Sequence, residues 1–113
     1  MLSFQKLDVY QRAIELLALI YEIVEAIPRG HASQVDQLTR SGESIIRNIA
    51  EGAGRWTRAD SAHKYTIARG EAMECAGSLD VLHLRKLISE AHYTRGNELL
   101  SSVVAMLTKM MQL

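Results

Sequence analysis

Residues 7–28, LDVYQRAIELLALIYEIVEAIP, decide the fold class of this chain. Leu7, Tyr10, Ile14, Leu17, Tyr21 and Val24 recur at three- and four-residue spacing, which places them on one face of a helix. Leu16, Ile20, Ile23 and Ile27 make a second apolar stripe beside the first. One stripe serves a core. Two give an apolar arc wider than a bundle helix needs, and the surplus suits contact with another subunit. Pro28, the only proline, then ends the helix, and Gly30 suits the turn that follows. Glu15, Glu22 and Glu25 break the run well short of the ~18 to 20 apolar residues a membrane span requires. The opening MLSFQKLDVY lacks the basic stretch and apolar core of a signal peptide. The expectation is a soluble, cytoplasmic protein with no membrane partner.

The same period continues to the end, and nothing alternates with period two. Val35, Leu38, Ile45, Ile49 and Ala50 supply the core face of a second helix. Thr57 reads as the N-cap of a third, with Asp60 three residues on in a capping-box arrangement. Tyr65, Ala68, Ala72, Cys75, Ala76, Leu79, Leu82 and Leu87 lie on its inner face, and Gly70 and Gly77 are expected to permit close helix packing. Ser89 caps a fourth helix. Its stripes are Leu99, Val103, Met106 and Met110, and Leu100, Val104, Leu107 and Met111. The expected architecture is all-α: one domain over 1–113, an antiparallel up-down four-helix bundle with helices about 5–27, 31–54, 58–88 and 90–112.

Composition removes several functions. Thirteen Lys and Arg balance thirteen Asp and Glu, so nucleic-acid binding would have to come from a local patch. The single cysteine excludes an internal disulfide, and Cys75 reads as a small buried apolar residue. Asp60/His63 and Asp80/His83 resemble half of a di-metal motif, but they lie on one predicted helix about 30 Å apart and cannot share a metal pair. The four histidines are scattered and read as solvated. Gly52-Ala53-Gly54 follows a helix rather than a strand, so it is no dinucleotide fingerprint. No enzyme, cofactor or metal is expected.

One segment stands out. Arg40, Arg47, Arg55, Arg58, Lys64 and Arg69 outnumber Glu43, Glu51 and Asp60, and Trp56 sits among them at the corner between helices two and three. In one reading the arginines pair with acids four residues away (Glu43, Arg47, Glu51 and Arg55 form such a ladder) and Trp56 caps the bundle end. In the other, the corner is basic with an aromatic stacking surface, suited to nucleic-acid backbone and bases.

The same segment resembles a known family. Gln37-Leu38-Thr39-Arg40, Ser44-Ile45 and Asn48-Ile49-Ala50-Glu51-Gly52-Ala53-Gly54-Arg55 are similar to the signature of the four-helix proteins encoded in intervening sequences of bacterial 23S ribosomal RNA genes. Phe4 to Tyr10 resembles the family's opening, and Ile67 to Cys75 resembles its third-helix pattern. The chain departs from the pattern at three positions: Gly42 stands at a common alanine, Ile46 at a proline and Glu71 at a serine. The missing proline should give a more regular second helix, and Glu71 adds an acid near Arg69.

The resemblance implies a ring-forming oligomer, typically a homopentamer. It also implies kinship to a basic pentamer that serves diversity-generating retroelements by binding nucleic acid and a reverse transcriptase. Read from their own chemistry, Asn48, Glu51, Gly52, Gly54 and Arg55 have mostly structural work. Two functions therefore compete: an oligomer that binds RNA or DNA through the basic corner, and a ring that scaffolds a protein partner. A passenger protein without nucleic-acid contact is a third.

Overall fold

A computed structural model describes residues Met1–Gln112. A short 3₁₀ turn, Ser3–Lys6, leads into four helices: α1 Asp8–Ala26, α2 Ala32–Ala53, α3 Arg58–Leu84 and α4 Glu90–Met111. No strand occurs among the described residues. Each helix packs on its neighbour in sequence, and α1 also packs on α4. The four elements therefore enclose one core, in a body of 44 × 25 × 21 Å.

Local chemistry sets the helix ends. Ile27, held in extended geometry by the ring of Pro28, stops α1, and Gly30 turns the chain at φ +103°. Thr57 Oγ1 accepts the Asp60 amide at 3.1 Å, and Ser89 Oγ accepts that of His92 at 3.0 Å, so both N-caps form, the Thr57 one without the return bond from the Asp60 side chain that completes a capping box. The third helix is shorter than the expected 58–88. It closes at Leu84 in a Schellman turn: the Lys86 amide donates to His83 O and the Leu87 amide to Leu82 O. Lys86 takes the left-handed position at φ +59°, where a glycine is usual. Leu87 and Ile88 consequently lie in the link, half-buried against the core. The other helices start or stop within a few residues of expectation. Ile46, at the family's proline position, is helical inside an uninterrupted α2.

The core resolves the double stripes. In α1 the buried residues are Val9, Ala13, Leu16, Ile20 and Ile23, so the second stripe faces inward. Members of the first stripe flank the core or reach solvent, with Ile14 43% exposed. In α4 both stripes turn inward: Leu99, Leu100, Val103 and Leu107 are buried, and Val104 and the three methionines pack against them. Both stripes of α4 are thus absorbed, because Gly96 lets Leu79 approach and seats the helix deeply. Uncovered apolar surface remains on α1, at Ile14 and Tyr21, and also on α3, where Met73, Val81 and Leu84 point outward.

The glycines also divide differently from expectation. Gly70 and Gly77 are exposed, and a Cβ built on either would meet nothing within 4 Å. The close approaches belong to Gly42, Gly52 and Gly96. A Cβ on Gly52 would stand 2.5 Å from the buried Tyr65 ring, inside any real contact distance. Gly52→Ala should therefore destabilise the chain by about 1–3 kcal/mol through overpacking. Gly77→Ala should stabilise the isolated chain by about 0.5–1 kcal/mol, since it adds helix propensity without a clash. Urea unfolding of the two variants should move the midpoint in opposite directions.

Candidate nucleic-acid interface

The corner between α2 and α3 is built from short-range chemistry. Asn48 Nδ2 donates to Ser44 O at 2.9 Å and to Ser44 Oγ at 3.1 Å, which ties the last turns of α2 together. Gly52 rests on Tyr65. Glu51 bridges the two helices: its Oε2 lies 2.9 Å from Lys64 Nζ and 3.6 Å from Arg55 Nη2. The Lys64 hydrogen bond and charge, aided by Arg55, hold the Glu51 carboxyl below its ordinary value. Gly54 caps α2 with ordinary right-handed geometry, so its backbone does not demand glycine. Beyond it Trp56 stands in the turn with its side chain 100% exposed. It does not cap the core.

The seven residues of the basic cluster do not form one surface. Arg55, Trp56, Arg58 and Lys64 share the corner, and Arg58 makes no ion pair among the described residues. Arg40 and Arg47 lie back along α2, paired within the helix to Asp36 at 3.1 Å and Glu43 at 3.9 Å. Thirteen residues of helix separate Arg40 from the end of α2 at Ala53, roughly 20 Å. Arg69 turns the other way and donates through Nε to Thr108 Oγ1 of α4 at 2.8 Å. The ladder is thus formed in part, by exposed pairs that each contribute only about 0.3–0.5 kcal/mol.

Sequence reasoning missed a second feature. Gln37, Arg40, Ser41, Ser44 and Arg47 of α2 face Glu71 and Glu74 of α3 across a cavity of about 470 Å³. Glu71 therefore faces α2 rather than Arg69, because residues two apart on a helix point to nearly opposite sides. Burial, then the neighbouring Glu74 carboxylate, raises the Glu71 pKa. Below this groove Cys75 is fully buried, and desolvation pushes its thiol up to about 12. It is an inert core residue.

Two of the four histidines, His83 and His92, are less solvated than expected. His83 stacks on Tyr93 at 3.8 Å and meets Glu90 Oε1 at 2.6 Å, while the Tyr93 hydroxyl donates to Asp80 at 2.7 Å. His92 Nε2 lies 3.2 Å from Glu22 of α1. Asp80 and His83 thus join α3 to α4. Among the described residues no three His, Cys, Asp or Glu side chains are grouped to hold a metal, and no helix is long and apolar enough to cross a membrane.

Glu71 carries a pH-dependent test. A carboxyl whose folded pKa is raised binds its proton more tightly in the folded state, so its stabilising effect is present in acid and lost as pH rises through that pKa. Glu71→Gln should therefore raise the melting temperature at neutral pH and leave it nearly unchanged below the pKa of an unfolded carboxylate. Thermal unfolding across that range reads the difference.

Comparison with known proteins adds the following. A family model described as 23S rRNA-intervening sequence protein matches residues 5–109. The crystal structure of a protein of unknown function from the S23 ribosomal protein family of Bacteroides thetaiotaomicron is similar at a TM-score of 0.85 and 25% identity. The match covers 93% of this chain and 99% of that one. No curated protein matches.

Proposed function

The chain belongs to the 23S rRNA-intervening sequence protein family, and on that premise we propose that it is a non-enzymatic, cytoplasmic RNA-binding protein that works as a self-assembled ring. The observation that carries this reading is the corner itself. A fully exposed tryptophan stands between Arg55 and Arg58, and Arg58 has no competing acid partner among the described residues. Exposed aromatic and guanidinium groups together suit a nucleic-acid strand.

In this reading the four helices run up and down as an antiparallel bundle, which short links between long helices favour. The apolar surface left on α1 and α3 then meets further copies, with a homopentamer as the proposed assembly. Met73, Val81 and Leu84 favour such a role, with Leu84 83% exposed. The same surface favours a second reading, a ring that scaffolds a protein partner. The exposed Trp56 beside Arg58 favours the first reading.

Anisotropy of a labelled structured RNA should show saturable binding that weakens as salt rises, since each phosphate contact releases counterions. Arg55→Glu with Arg58→Glu should abolish that binding while circular dichroism shows the helices intact. Unchanged affinity in the double variant would sink the RNA reading. Self-assembly has its own test: light scattering should give a multiple of the 12.6 kDa chain, and Val81→Glu with Leu84→Glu should reduce it towards one chain. A variant that keeps the assembled mass would move the interface elsewhere.

A further inference from the structure

We propose that the ligand of the α2–α3 corner is an unpaired nucleobase on a single-stranded segment, stacked on the Trp56 indole with Arg55 and Arg58 on its phosphates, and that a base-paired duplex is not its target. This rests on the nucleic-acid reading above and names the substrate class.

Tryptophan is ordinarily well buried, yet here the whole side chain is open to solvent, so both ring faces are free. Its position is fixed from below rather than by its own packing. Glu51 clamps Lys64 and Arg55 across the corner, and the Gly52–Tyr65 contact holds the ends of the two helices together. The indole is therefore presented on a braced turn. A base offers such a ring a π-face whatever its identity, and stacking needs no hydrogen-bond code.

In a duplex those faces are already covered. A side chain that wedges between stacked pairs must first separate them, and proteins that do so offset the cost by wrapping bent DNA over a broad basic surface. This corner has no such surface. Arg40 and Arg47 are held by Asp36 and Glu43, Arg69 is turned to Thr108, and Glu51 shares its charge with Lys64 and Arg55. That leaves Arg58 free and Arg55 partly free, enough for about two phosphates. A single strand satisfies both demands: its bases are already accessible, and its backbone bends to bring phosphates to adjacent guanidinium groups. The chain's zero net charge fits a contact that gains more from stacking than from counterion release.

Trp56 is the only tryptophan, so its emission reports the contact directly. The full chain would be titrated with a short oligouridylate, an oligodeoxythymidylate of equal length and an RNA duplex of that length, following emission and anisotropy together. Both single strands should quench the emission, and the duplex should bind far more weakly. Trp56→Ala should lower single-strand affinity roughly tenfold to a hundredfold without changing the salt slope, and Trp56→Phe should retain most of it. The slope should be about −0.7 per phosphate contacted. Duplex binding as tight as single-strand binding, or undiminished affinity in Trp56→Ala, would overturn this inference and leave phosphate recognition by the corner standing. Failure of every nucleic acid to bind would remove both.

Discussion

The contact of Gly52 with the Tyr65 ring is the constraint on which the working end of the molecule depends. The α2–α3 pair is the most extensive in the fold, and its axes can close at the corner only where one helix lacks a side chain. With the two helix ends held together, Glu51 comes within reach of Lys64 on the far side. The turn beyond Gly54 is then too short to fold back over the core, and Trp56 is carried outward. A packing requirement deep in the helix pair thus determines what the surface presents. It also accounts for a signature that looks chemical and works structurally: Asn48 stitches α2, Glu51 bridges to α3, and Gly52 admits the ring.

Much of the fold was legible because its signals are local. The stop at Pro28, the caps at Thr57 and Ser89 and the inner face of α3 each depend on a few neighbouring residues. What was not legible depends on tertiary partners. Gly70 and Gly77 have the same sequence character as Gly52 and Gly96, and only the facing helix distinguishes an open glycine from a compressed one. The two stripes of α1 were visible, but which one faces the core is settled by the helices around it. The end of α3 was misread because Lys86 adopts a conformation usually reserved for glycine, and Leu87 then packs on the core from outside the helix.

The candidate site was legible in composition and illegible in geometry. Counting bases between Arg40 and Arg69 gives one cluster, whereas a helix distributes them around its axis and along its length. Arg69 goes to α4, Arg40 and Arg47 border the groove with Glu71 and Glu74, and the corner keeps the remainder. Nor does any local rule say whether a tryptophan in a turn folds inward or projects. The groove itself was hidden for the same reason, since Glu71 and Glu74 meet Ser41 and Ser44 only once α2 and α3 are paired.

The proposed assembly and the proposed ligand bear on each other through charge. A neutral chain whose corner offers only Arg58 and a shared Arg55 has little to hold a strand there by Coulomb attraction alone, and stacking of one base leaves a weak single-copy contact. Several corners on one closed ring change the arithmetic, because each later contact becomes intramolecular once the first is made. Spacing then matters as much as affinity. Only a strand flexible enough to reach successive corners gains from the ring, and unpaired nucleic acid meets that requirement where a stiff duplex does not. On this argument the apolar face of α3 and the indole at its N-terminal end belong to one device, the first setting how many corners act together and the second setting what each one holds.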